Sequence, residues 1–140
     1  MPDQRAVIAC LDANPIISLL LGEPADQAQA VHELVEAVAA RGERLWIFPT
    51  TVAEVAMTLD RAYKVARVDI AEELLGFLDH RGVHVERPDI VRAALVSFGS
   101  HNVPFYDALL AVEMASTGCT EVYTWDRHFD RISGIRRRVP

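Results

Sequence analysis

Long apolar runs are missing from this chain of 140 residues. The early hydrophobic stretch is broken by Asp12, Asn14 and Pro15, so no segment approaches the length that spans a bilayer. Cysteine is scarce as well. Cys10 and Cys119 lie in or beside apolar segments without metal-type spacing, which predicts two buried, reduced thiols rather than a disulfide or a thiolate metal site. Lysine occurs once, at Lys64. Low-complexity tracts, repeats and linker-like segments are absent, while hydrophobic residues make up 51% of the chain, which excludes a disordered polymer. Together these features predict one soluble, cytoplasmic domain over residues 1–140, with no membrane association and enough chain to bury a core.

The net charge of −6 runs against nucleic-acid binding, since an acidic surface repels phosphates. Its distribution is uneven, however. Arg127, Arg131, Arg136, Arg137 and Arg138 crowd the last segment, opposed there by Asp130. That run is either a phosphate-facing patch or a solvated basic edge.

Hydrophobic periodicity alternates along the chain. Val7 to Leu11 reads as a buried strand. Asn14 before Pro15 reads as an N-cap with proline at the first helical position, opening a helix through Leu21. A helix from Pro24 to Ala40 stops near Gly42, and Leu45 to Phe48 forms the next buried strand. From Thr50 to Tyr63 the residues Val52, Val55, Ala56, Leu59 and Tyr63 make one apolar stripe of a helix. A helix over 69–80, a strand over 83–85 and a helix from Pro88 that ends before Gly99 follow. Pro104 starts a helix through Ser116 that is apolar almost all round and is predicted to be buried. Strands over 121–124 and 136–139 close the chain. Strands alternating with helices predict an α/β fold with a parallel sheet covered on both faces.

Four acids recur at one phase of this alternation: Asp12, Glu54, Asp107 and Asp126 each fall where a strand has ended or a helix begins. Loops leaving the carboxyl ends of parallel strands converge on one crevice, where four carboxylates would repel unless a divalent cation held them together. Asp12 closes a buried strand ahead of the cap at Asn14, so it needs a partner or a metal. Asp107 suits the positive end of a helix dipole as well as it suits the crevice. Asp126 reads equally as a cap for the turn through Phe129. Glu54 opposes the apolar stripe of its helix, as a solvated glutamate would.

The same residues resemble a known family. Leu11-Asp12-Ala13-Asn14 after a hydrophobic strand is similar to the opening of PIN-domain ribonucleases, and Thr51-Val52-Ala53-Glu54-Val55 to their second acidic motif. Phe105-Tyr106-Asp107-Ala108-Leu109-Leu110-Ala111 resembles the third. Tyr123-Thr124-Trp125-Asp126-Arg127-His128-Phe129 resembles the fourth, of pattern Thr-x-Asp-x-x-Phe. The resemblance spans nearly the whole chain, and the length is similar to VapC-type toxins of toxin–antitoxin pairs.

It implies a PIN-like three-layer α/β/α sandwich around a mostly parallel sheet of four to five strands. It also implies an endoribonuclease that hydrolyses RNA phosphodiesters with Mg²⁺ or Mn²⁺, a homodimer, and a cognate antitoxin lying over residues 15–21 and 50–63 near Ile16, Leu19 and Leu20. Asp12, Glu54, Asp107 and Asp126 are then the catalytic metal set, with Asn14 and Thr124 orienting water, a carboxylate or the phosphate, and Asp130 as a further candidate. Carboxylate oxygens are the hard ligands these ions prefer. None of the five histidines is required as a base, and His128 reads as a surface side chain.

Two other classes fit less well. A phosphoacceptor receiver domain would want paired acids after the first strand and a lysine near the last, whereas Lys64 lies mid-chain. A non-catalytic PIN-like interaction module would tolerate loss of any one acid, and all four are present.

Overall fold

The computed structural model describes residues 6–140. Parallel strands need a crossover between them, and the sequence supplies helices in pairs for that purpose. Strand β1 (Ala6–Cys10) leads through helices α1 (Ala13–Leu21) and α2 (Ala25–Ala40) to β2 (Glu43–Ile47). Helices α3 (Pro49–Arg61) and α4 (Arg67–Leu78) then return the chain to β3 (Val83–Val85). The order β1-β2-β3 is parallel throughout, with Cys10 opposite Trp46 and Leu45 opposite Val83. Helices α5 (Pro88–Ser100) and α6 (Phe105–Thr117) follow. Strand β4 (Glu121–Tyr123), a 3₁₀ turn (Arg127–Arg131) and β5 (Arg136–Arg138) end the chain as a separate parallel pair, with Glu121 opposite Arg136. The mixed α/β fold and its parallel pairing are as the sequence predicts. The five strands divide between a three-stranded and a two-stranded sheet.

The core sits under α3. Val52, Ala53, Val55, Ala56 and Leu59 are all buried, and the helix packs on both α1 and α6. Phe98 of α5 and Phe105 of α6 meet edge to face at 5.8 Å, fixing where α6 starts. Apolar burial of this kind, at roughly 25 cal/mol per Å², is the main force holding the layers.

Several local expectations change. Helix α1 begins at Ala13, so Asp12 and not Asn14 occupies the cap position. β1 is one of the two edge strands of its sheet, and four of its five residues are exposed rather than buried. Cys10 and Cys119 are free thiols as expected, but both are exposed. Gly99 does not end α5. It lies inside the helix, where a Cβ would come 2.9 Å from the Ala71 Cβ of α4, so the glycine is there for close helix contact. Tyr63 falls beyond α3 and is exposed, leaving its predicted stripe one residue short. Helix α6 is buried along Phe105, Ala108, Ala111 and Met114 only, and Tyr106 and Leu110 face outward. Among the described residues no helix is long and apolar enough to cross a membrane.

Candidate active site

Two segments build the site. Pro104 precedes α6 in an extended conformation, and buried Phe105 pins the first turn, so Asp107 stands where the helix dipole favours a negative charge. The second segment leaves β4. The Thr124 amide donates to the Arg138 carbonyl at 2.9 Å, continuing the ladder. The Asp126 amide then donates to Thr124 Oγ1 at 3.0 Å, which turns the chain. Asp126 caps the 3₁₀ turn, its Oδ1 accepting the His128 amide at 2.9 Å. That cap folds the His128 ring back over the acids. Its Nδ1 lies 2.6 Å from Asp126 Oδ1 and 3.6 Å from Asp107 Oδ2.

The electrostatics of the two acids diverge. Burial first, then the negative charge of Asp126, holds the Asp107 carboxyl above the ordinary aspartate range. Asp126 moves the other way, held below that range chiefly by the His128 amide. Asp107 is 19% exposed, and its Oδ2 is buried without a hydrogen-bond partner. A buried carboxylate oxygen that accepts no hydrogen bond and faces a second carboxylate is costly unless a cation joins them. One ligand atom each from Asp107, Asp126 and His128 lie within 4.8 Å of one another, the only such group among the described residues. Two carboxylate oxygens and one imidazole nitrogen form a donor set suited to a divalent cation, so the residues fit a metal.

The other predicted residues lie outside that tight group. Asp12 is exposed, and its side chain makes no cap hydrogen bond, so the carboxylate is not committed to α1. Glu54 is exposed between buried Ala53 and Val55. Asn14 borders a groove between α1 and α2 with Pro15 and Ser18. Asp130 receives a two-pronged contact from Arg137, at 3.0 and 3.4 Å. His128 is the participant that the sequence reading set aside. Its signal is the spacing: a histidine two residues after a capping aspartate is carried back onto that aspartate's carboxylate.

The basic end is also more constrained than its composition suggests. Arg136 and Arg138 share Glu121, and Arg137 pairs with Asp130, so three of the five arginines are engaged within the protein by two carboxylates.

These features define a PIN domain: the family profile of that name matches residues 9–135, and the chain belongs to that family. Among curated proteins it is similar to the VapC ribonuclease of Aquifex aeolicus (strain VF5). The two are 25% identical over 122 residues, covering 87% of this chain and 90% of that protein.

Proposed function

We propose that this chain is a divalent-cation-dependent endoribonuclease, the toxin of a toxin–antitoxin pair, acting in the cytoplasm. The observation that carries the reading is the buried oxygen of Asp107 that accepts no hydrogen bond and faces Asp126 and His128. In a family whose acids lie at these sequence positions, that oxygen is where a Mg²⁺ or Mn²⁺ ion belongs. When bound, such an ion supplies charge neutralisation at the phosphate and acidifies water for hydrolysis.

The chain's own residues do the rest. Asp107 and Asp126 hold the cation from two different elements, and Thr124 fixes Asp126 through its amide. His128 steadies Asp126 or joins the ligands directly. Asp12 and Glu54 complete the acidic set, supported by topology: α3 packs on both α1, which Asp12 precedes, and α6, which carries Asp107. Asn14 orients the phosphate from the α1 side. Asp130, engaged by Arg137, has the weaker claim.

RNA is the proposed substrate and an antitoxin the proposed inhibitor, docking on residues 15–21 and 50–63. Ile16 is core, which leaves partly buried Leu19 and Leu20 to meet such a partner. A homodimer is proposed through α6, where Tyr106 and Leu110 are exposed one helical turn apart.

The test is cleavage of a structured RNA pool by purified, antitoxin-free protein, with Mg²⁺ or Mn²⁺ and with EDTA. Cutting that needs the ion and disappears in Asp107→Asn and Asp126→Asn is expected. Cutting that persists in both variants would overturn the assignment. A non-catalytic PIN-like module is the second reading, favoured by Asp12 and Glu54 standing outside the tight group. It predicts RNA binding without cutting and without saturable Mn²⁺ uptake.

A further inference from the structure

The 3₁₀ turn that opens on Asp126 ends on Arg131, and Arg131 is bound differently from its arginine neighbours. Its Nη1 donates to the backbone carbonyl of Asn102 at 2.8 Å. No carboxylate among the described residues pairs with it, since adjacent Asp130 is taken by Arg137. The same carbonyl oxygen accepts a second guanidinium, that of Arg67, also at 2.8 Å. Two cations therefore stand side by side on one neutral acceptor. Asp60 answers for Arg67 at 3.1 Å, and Phe98 lies under its guanidinium at 5.9 Å. The charge of Arg131 is left over.

The backbone is arranged to make this meeting. Asn102 has φ of +53°, a left-handed conformation that asparagine tolerates better than most residues and that still costs energy. It turns the carbonyl toward both arginines in the short loop that leads into α6 and Asp107. A five-residue 3₁₀ turn is about 10 Å long, so Arg131 stays close to the Asp126 end of the site. Arg131 borders a small cleft with Asp126, His128 and Arg127, and Arg67 is near enough to pull the Asp107 carboxyl downward by charge.

We propose that Arg131, steadied beside Arg67 on the Asn102 carbonyl, seats an RNA backbone phosphate flanking the one cleaved. A guanidinium holding one carbonyl through a single N–H keeps other donors for phosphate oxygens, and a second cation beside it deepens the local positive potential. This site also answers how an acidic protein holds RNA: an arginine without a carboxylate partner stands beside the acids, whereas the three arginines of the more conspicuous Arg136–Arg138 run are each drawn to Glu121 or Asp130. The proposal rests on the ribonuclease reading.

Binding of a fluorescent single-stranded RNA oligomer tests it, measured across a salt series with Mg²⁺ in an Asp107→Asn background so that the RNA survives. Arg131→Gln should weaken binding on the order of tenfold at low salt and flatten the log–log salt slope by about 0.7, one phosphate's share on a single strand. Its melting temperature should stay unchanged, Arg131→Lys should restore the slope in part, and Arg136→Gln should behave as the parent. An unchanged slope in Arg131→Gln overturns the proposal. So does an affinity loss that tracks a drop in melting temperature, because Arg131 would then be a brace for the loop. If the parent chain neither binds nor, with Asp107 restored, cuts RNA, the ribonuclease reading itself falls.

Discussion

Asp107 illustrates a residue that is worse for the fold than for the chemistry. Its carboxyl is held above the ordinary range by burial and by Asp126, so the folded chain holds that proton more tightly than the unfolded chain does. A raised folded value means stability is fullest below the unfolded pKa and is lost as pH rises through the folded one. Metal-free Asp107→Asn should therefore melt a few degrees above the parent at neutral pH, with the advantage vanishing in acid, as scanning calorimetry would register. The parent's Mn²⁺-induced rise in melting temperature should be absent from that variant. His128→Ala should weaken Mn²⁺ binding about tenfold by titration calorimetry. A nitrogen coupling in the electron spin-echo spectrum of bound Mn²⁺ that His128→Ala abolishes would separate ligation from mere orientation. Singly, Asp107 read equally as a helix-dipole residue and Asp126 as a turn cap; only their recurrence with Asp12 and Glu54 at one phase of the chain singled them out, and the fold sets the two side by side. His128 was not legible, because its role comes from a turn that folds the ring back, and no periodicity records that.

Elements were legible where one force dominates. Helix α3 shows its buried stripe in the sequence, and β3 has the predicted bounds. Errors came where neighbours decide. β1 is as apolar as a buried strand, yet four of its five residues stay exposed, whereas β3 at the opposite edge of the same sheet has both valines covered. Helix α6 is apolar nearly all round, yet the fold covers one face only. Gly99 looked like a stop signal because glycine usually is one, whereas α4 needs the space its missing Cβ leaves. Gly99→Ala should accordingly destabilise the chain by about 1–3 kcal/mol in urea denaturation, although alanine is the better helix former. A stabilised variant would show that α4 and α5 can separate without cost.

At the scale of the whole molecule, charge and shape divide the work. A chain of net charge −6 must concentrate its attraction for RNA in a few places, and ion pairing removes much of the arginine-rich terminus from consideration. Under the proposed homodimer, the outward pair Tyr106 and Leu110 serves association rather than catalysis. Leu110→Glu should convert a wild-type dimer to monomer by light scattering, and a wild-type chain that is already monomeric would remove α6 as a dimer face.

The division of the strands into two sheets has a kinetic consequence. Asp126 and His128 ride on a parallel pair of three-residue strands that β1, β2 and β3 do not hydrogen-bond, while Asp107 belongs to the helical pile. The Asp126 half of the site should open more readily than the other, because so short a ladder has little cooperativity of its own and only Phe129 and Ile132 of this segment are buried in the common core. Amides of residues 121–138 should trade their hydrogens for deuterium sooner than those of β2. A cation bridging Asp107 to Asp126 would act as a clasp between the two bodies, slowing exchange in 121–138 far more than in the larger sheet.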